Sequence, residues 1–387
     1  MGEPRKILVV GAGLGGLVAA IALAQIGAKV DVIEIKEDNS VPGVGFGLRG
    51  NGLRAVREVG LLDACIQIGS ESTGVNYVDP QGRHLCTLKY GIFEEGLPGV
   101  LSMPRLDFLD AATARALEVG CVIRMGTTVA AMQQDADRVT VTLSSGETEE
   151  YDLVIGFDGI NSQIRREYFG AQYDPTPVGG VAWRSALPVA PGMTGNIFIQ
   201  GAGGKLVLTP LSSEIMYAVL TVAEEGRPRH DPSKMGQIMY ERARALMGDS
   251  DFMADSLEHL RESTSVAYTP YSITWVPYPW FRGRIMIMGD ATHAMTPYLG
   301  SGAAMSIEDG IVLAHELAKD QSLVDAQLSF MARRLPRVRA VHERSQETMY
   351  QEFDSVSPEA LQRRLEFLRT QEPLANEYAN RLLAQPY

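Results

Sequence analysis

Gly11, Gly13 and Gly16 stand in G-x-G-x-x-G spacing, and a carboxylate, Glu34, follows about 20 residues later. Those residue types suit a phosphate-bearing ligand. Gly11 permits a tight turn, Gly13 lets the backbone approach a pyrophosphate, and Gly16 lets helix and strand pack closely. The N-terminus of the following helix offers free N–H groups and a positive dipole end to the phosphates. Glu34 suits a ribose diol, and its charge disfavours a 2′-phosphate there. The ligand so described is an adenine dinucleotide, and these residues do not choose between NAD and FAD. Two further carboxylates sit in comparable places. Asp158-Gly159 is a turn dipeptide after an apolar stretch. With Arg165 it is either a plain strand-turn-helix joint or a second phosphate-facing turn. Asp290 ends the apolar run that starts at Ile285 and leads through a Gly/Pro loop to a helix, which fits a ligand crevice in an open sheet.

Positioning these groups calls for alternating strands and helices. Lys6–Val10 and Lys29–Glu34 read as strands around an Ala-rich helix, Glu150–Gly156 delivers Asp158, and Ala303–Lys319 is the helix beyond Asp290. Arg105 opens a helix, Leu106–Glu118, at the end cations avoid. A surface arginine or a phosphate or ribityl partner would each account for it. Val41–Gly52 carries five glycines, which argues against the interior of a stable helix or strand and leaves a flexible linker or, more in keeping with its place between two ordered elements, a loop lying against a ligand. Arg49 in that loop is either solvated or near a flavin or nicotinamide. From Pro175 to about Trp280 strands predominate, interrupted by the helical piece Pro232–Met247, and an inserted antiparallel lobe is expected. Phe198, Leu206, Leu208, Tyr217 and Val219 on it form a pocket wall or a core. Most belong to a core on general grounds, and Leu206, Leu208 and Tyr217 are the pocket candidates. His293 reads as loop packing rather than a catalytic group. Past Met331 the Arg/Glu-rich helices read as solvated faces with i,i+4 pairs.

The chain has 387 residues, enough for two lobes. Hydrophobic content of 45% and charged content of 21% describe a soluble globular protein. A net charge of −12 argues against nucleic acid as a partner. Cys65, Cys86 and Cys121 are far apart with no C-x-x-C, so neither a disulfide framework nor a metal site is suggested. The first strand begins by Lys6 and no run of about 20 apolar residues occurs, so no secretory signal and no membrane span are expected. A cytoplasmic protein follows by exclusion.

Taken in order, Gly11–Glu34, Gly156–Arg165 and Gly289–Gly302 resemble the single-component FAD-dependent aromatic hydroxylases of the p-hydroxybenzoate hydroxylase fold. That group includes salicylate hydroxylase-like, 6-hydroxynicotinate monooxygenase-like and tetracycline-inactivating enzymes. The resemblance implies an α/β chain with a Rossmann-type FAD-binding domain (1–72, 104–174 and 281–330). An inserted antiparallel β-sheet substrate domain (73–103 and 175–280) and a C-terminal helical segment (331–387) complete it. Gly11, Gly13 and Gly16 then match the FAD pyrophosphate turn, and Glu34 the adenosine ribose ligand. Arg105 matches a flavin-contacting arginine, Asp158 and Gly159 a motif serving both FAD and NAD(P)H, and Asp290 the ribityl-binding aspartate. Arg49 joins the cofactor set. Pro297, Gly300, Ser301 and Gly302 match the loop beside the isoalloxazine, with Pro297 also at the substrate pocket, and Trp183-Arg184 resembles the strand that opens the substrate lobe.

The activity implied is an NAD(P)H- and O2-dependent hydroxylation of a small phenolic or heteroaromatic molecule, polycyclic ones included, through a flavin C4a-hydroperoxide. NAD(P)H is then a transient co-substrate, no metal is needed, and a monomer or homodimer would suffice. Because the flavin carries the chemistry, no catalytic side chain is assigned. An FAD-dependent halogenase or reductase of the same fold, or a non-catalytic flavin-binding protein, are the alternatives. Trp275–Trp280 lacks the W-x-W-x-I-P pattern of such halogenases. Two departures bear on substrate. Gly50-Asn51-Gly52 replaces Pro-Asn-Ala, and Gly47 stands where 6-hydroxynicotinate-type enzymes have a histidine, with their tyrosine near Thr209. No base is therefore carried over. The apolar strands Leu206–Leu208 and Ala218–Leu220 suggest a bulkier, less charged substrate.

Overall fold

The computed structural model describes residues 5–39, 45–224, 226 and 228–387. A six-stranded sheet runs in the order Phe281–Arg282, Ile285–Ile287, Leu153–Gly156, Lys6–Val10, Lys29–Ile33, Val122–Arg124. All neighbours are parallel except the first pair. Its central strands are continuous runs of Ile, Leu and Val because both faces are covered, and Ile7, Leu8 and Val9 are fully buried. The Leu14–Gln25 helix lies against the Gly302–Leu317 helix at a distance set by small residues. A Cβ on Gly310 would sit 2.5 Å from that of Ala19, and one on Gly15 would sit 2.1 Å from Ser306 Oγ.

A seven-stranded sheet forms the second layer system, in the order Ala267–Ile273, Thr176–Pro188, Ile215–Ala223, Gly204–Pro210, Asn196–Gly201, Gly74–Val78, His84–Lys89. It is antiparallel apart from the pair Asn196–Gly201 with Gly74–Val78. That parallel pair is where the strands before residue 90 join those after 175. One face of the sheet packs Trp183, Leu206, Leu208 and Leu220 on the helices Met235–Met247 and Ala254–Arg261.

Two expectations need correction. The glycine-rich stretch is ordered where it is described: Gly45–Arg49 is a strand paired with Val100–Pro104, and Gly50–Glu58 is a helix. Here the glycines serve close packing. A Cβ on Gly50 would meet the Phe93 ring at 2.7 Å and one on Gly45 would meet Leu211 and the Met103 carbonyl at 2.9 Å. The part of the proposed loop at 40–44 lies outside the described residues. The C-terminal helices are also not merely solvated. Leu323–Phe353 contains Pro336 and buries Arg334, Arg337 and Glu352, while Pro358–Thr370 and Glu372–Ala384 follow as separate helices.

Those arginines complete a dry ionic cluster. Arg334 reaches Glu308 at 2.5 Å and Asp309 at 2.8 Å, and Arg337 grips both oxygens of Glu308 at 2.8 and 2.9 Å. Arg337 also donates to the carbonyls of Leu382 and Leu383, and Asn51 donates to Glu308 at 2.8 Å. Burial alone would raise the Glu308 and Asp309 carboxyls. The adjacent guanidiniums, with His293 beside Asp309, outweigh it and hold both below the ordinary range. Lowered carboxyl pKa values mean that their stabilisation is complete above the unfolded-state pKa and is lost as pH falls through the folded one. Arg334→Met should therefore cost about 3–5 kcal/mol in urea unfolding at pH 7. The gap to the wild type should narrow below about pH 4, where unfolded carboxylates protonate.

Candidate active site

The site grows from three adjacent strand ends. Val10 is in register with Gly156, and Gly156 with Ile287. Just past each end the backbone steps to its neighbour: Gly11 N–H donates to Ile33 at 2.7 Å, Phe157 N–H to Val10 at 2.8 Å and Met288 N–H to Gly156 at 2.9 Å. The glycine turn, Asp158 and Asp290 consequently leave the sheet on one edge. Gly11 has φ +111°, and a Cβ on it would lie 2.3 Å from the Phe157 carbonyl. On Gly16 a Cβ would lie 2.0 Å from the Gly11 carbonyl, whereas none of the described atoms comes within 4 Å of one on Gly13. Gly13 faces open space in front of the uncapped N-terminus of the Leu14–Gln25 helix.

That space is a cavity of about 690 Å³, lined by Gly13–Gly16, Arg49, Arg105, Gly159, Asp290, Pro297 and Gly300–Gly302. On its far side lies the large antiparallel sheet. Asp158 fixes the turn by accepting from Ile164 N–H at 3.0 Å, leaving its Oδ1 buried and without a hydrogen-bond partner among the described residues. Ser162 caps the next turn, accepting from Arg165 N–H at 2.9 Å. Arg165 is buried and donates to the Ile160 carbonyl at 2.7 Å and the Ala291 carbonyl at 3.1 Å, tying this turn to the one that carries Asp290. Asp309 accepts from Gly289 N–H at 3.0 Å and faces His293 Nε2 at 2.7 Å, so the buried ionic cluster also holds the Asp290 turn. His293 is thus a packing group against Asp309 and the Trp280 ring.

Glu34 accepts from Ala12 N–H at 2.9 Å and from Lys36 N–H at 3.1 Å, which places its carboxylate at the glycine turn but outside the cavity lining. Arg49 is buried against the Tyr90 ring at 5.1 Å and bonds Asn380, with its Nε unpaired among the described residues. Arg105 lines the cavity, also with an unpaired Nε, and burial lowers its pKa against the opposing pull of Asp290. Burial likewise raises the Asp158 carboxyl against Ser162 and local N–H groups, whereas Asp290 presents an exposed carboxylate to the cavity. Ser301 donates to the Leu299 carbonyl at 2.9 Å, and the Gly302–Leu317 helix starts at the cavity without a side-chain cap. Orphaned arginine Nε atoms, a Cβ-free cradle and two uncapped helix N-termini around one cavity fit a dinucleotide carrying a pyrophosphate and a polar ring, while Asp158 stands just outside the lining beside Gly159.

Of the pocket candidates, Tyr217 and Pro297 line the cavity. Leu206 and Leu208 do not; both are fully buried on the opposite face, in the cluster beneath the sheet. Strand alternation is the reason, since Lys205, Val207 and Thr209 take the cavity side. Reading that alternation outward from the charged Lys205 would have found them. Arg184, Tyr271 and Tyr298 also line the cavity, as do Ala375, Asn376 and Ala379 from the Glu372–Ala384 helix. Nothing local in the sequence marks the helix residues as cavity wall.

Residues 5–345 match the family described as FAD binding domain. The chain belongs to that family. It is similar to 6-hydroxynicotinate 3-monooxygenase of Pseudomonas fluorescens, 31% identical over 350 residues covering 85% of this chain and 86% of that one. It is also similar to 2-heptyl-3-hydroxy-4(1H)-quinolone synthase of Pseudomonas aeruginosa, 29% identical over 311 residues covering 80% and 79%. The fold matches the crystal structure of Klebsiella pneumoniae HpxO complexed with FAD and uric acid, with TM-score 0.85, 22% identity and coverage of 99% and 97%. The protein is an FAD-dependent monooxygenase, and FAD is its cofactor.

Two substitutions separate cradle from scaffold. Gly13→Ala should leave apoprotein stability within about 0.5 kcal/mol of wild type, because its Cβ meets no described atom. Its FAD affinity, read by fluorescence quenching, should fall about tenfold or more, as expected where backbone must approach a pyrophosphate. Asp290→Asn, at an exposed position facing the cavity, should leave apoprotein thermal stability at neutral pH nearly unchanged while weakening FAD binding.

Proposed function

We propose that this monooxygenase hydroxylates a small phenolic or heteroaromatic compound, taking electrons from NAD(P)H and one oxygen atom from O2. The observation that carries the reading is one continuous cavity joining the glycine turn, Asp290 and the Pro297–Gly302 loop to the aromatic-lined sheet. Bound FAD supplies the redox chemistry, accepting hydride and activating O2, with the second oxygen atom leaving as water. The chain's own residues bind, orient and exclude water. Backbone N–H groups at Gly13 and the helix behind it take the pyrophosphate. Glu34 takes the adenosine ribose, Asp290 the ribityl chain, and Asp158 with Gly159 the adjoining part of the cofactor. Arg105 and Arg49 meet its acceptor atoms. The N-terminus of the Gly302–Leu317 helix, with Pro297, Gly300 and Ser301, favours negative charge on the ring. Tyr217 and Pro297 form part of the substrate wall.

The proposed domain division takes 1–72, 104–174 and 281–330 as cofactor domain, 73–103 and 175–280 as substrate domain, and 331–387 as a helical segment; the two large sheets support it, while Val100–Pro104 pairs with Gly45–Arg49 and Ser70–Ser72 and so sides with the cofactor domain. The three cysteines are free and buried, which supports action in a reducing, cytoplasmic compartment. No helix among the described residues is long and apolar enough to cross a membrane.

To test the reaction, NAD(P)H oxidation by the flavin-loaded enzyme is followed against a panel of phenols, pyridones and quinolones under 18O2. At least one compound should accelerate oxidation and emerge labelled. Flavin-loaded protein that no aromatic compound stimulates would instead favour a binding role.

A further inference from the structure

The cations of the cavity wall sit in different settings. Arg105 and Arg184 line it together with Tyr217 and Asp290. Lys205 also lines it and is 6% exposed. Its Nζ lies 2.9 Å from Glu352 Oε2 and 3.9 Å from the centroid of the Tyr298 ring. Glu352 is fully buried behind the wall, and its other oxygen accepts from Tyr298 at 2.8 Å and Thr221 at 3.2 Å. Glu372 and Arg364, 3.8 Å apart, also act on Lys205. Two cations thus face two carboxylates.

Glu352 spends its oxygens on groups that themselves line the cavity. What the wall offers a ligand is the remaining N–H donors of Lys205 and the acceptor lone pairs of the Tyr298 and Thr221 hydroxyls, with no net charge. A ligand carboxylate arriving here would give up its water and meet an ammonium already occupied by a carboxylate at 2.9 Å. An uncharged hydroxyl, carbonyl or ring N–H meets donors and acceptors without that repulsion. Specificity by placing a repelling group against the wrong ligand is a general device.

We propose that Glu352, acting through Lys205, is a specificity-determining positioning residue that selects an aromatic ligand with an uncharged, hydrogen-bonding edge, such as a phenol, pyridone or quinolone, over one ending in a carboxylate. This rests on the cavity being the substrate site, and it concerns binding rather than turnover.

The test is calorimetric titration of the FAD-loaded enzyme without NAD(P)H, in a buffer where the ligand carboxylates are ionised. The ligands are two matched pairs, 4-hydroxyquinoline with its 2-carboxylate, and 2-naphthol with 3-hydroxy-2-naphthoate. The wild type should bind the uncharged member of a pair about tenfold tighter, and Glu352→Gln should cut that preference below about threefold by freeing Lys205 for the acid. The double variant Lys205→Met with Glu352→Met removes both charges, a replacement buried pairs tolerate. It should still exclude the acids while losing about fivefold in affinity for the uncharged ligands, the worth of a lost hydrogen bond. Wild type that binds the acids equally well or no uncharged ligand at all, an unchanged preference in folded Glu352→Gln, or unaltered uncharged-ligand affinity in the double variant would each overturn the proposal. Should Glu352→Gln fail to fold, the wild type and double variant decide. Intact binding preferences with no oxygenation would count against the proposed reaction and leave this inference standing.

Discussion

Every part of the candidate site depends on three strand ends lying side by side at one level. Val10, Gly156 and Ile287 are neighbours in register, and the residues beyond them cross over by backbone hydrogen bonds to the next strand. Contact is so close that only glycine fits at position 11, where any side chain would strike the Phe157 carbonyl. Because strand spacing is imposed by the ladder, about 4.8 Å from neighbour to neighbour, the glycine turn, Asp158 and Asp290 have no freedom to separate. Arg165 and Asp309 then secure the turns that follow, one by carbonyl contacts and the other by an amide and a histidine.

The same economy of parts governs the rest of the molecule. Glu308, Asp309, Arg334 and Arg337 form one dry cluster whose members belong to two helices, yet it reaches Asn51 beside the glycine-rich strand, Gly289 beside Asp290, and the carbonyls of the last helix. That last helix is in turn a wall of the cavity. The Asp290 turn, cavity wall and C-terminal helices are therefore held by one ionic assembly, and such an assembly is stable only when each member is satisfied. On the sheet side, parity divides the labour: odd-numbered residues of Gly204–Pro210 face the cavity and even-numbered leucines seal the outer core.

Much of this was legible beforehand because it is local. Glycines at fixed spacing, a carboxylate after an apolar strand, and the change of texture after Pro175 each have one dominant physical reading within a few residues. The stretch Gly45–Gly52 misled because glycine has two uses, freedom and closeness, and only the position of Phe93, Leu211 and Met103 shows that closeness applies here. Leu206 and Leu208 misled because an apolar residue satisfies a pocket and a core equally well. The side a strand turns to a cavity depends on what lies across from it. Arg334 and Arg337 read as solvated because a charge pattern on one helix says nothing of carboxylates more than twenty residues away.

The sequence by itself determined the dinucleotide turn, the succession of βα units and the inserted sheet, since backbone geometry and hydrophobic period are properties of neighbouring residues. Only the tertiary structure decided which face of the inserted sheet lines the cavity, that Lys205 and Glu352 share a buried bond, and that the C-terminal helices close the cavity. Those facts are pairings between segments up to several hundred residues apart, and burial and charge compensation have no value until both partners are in place.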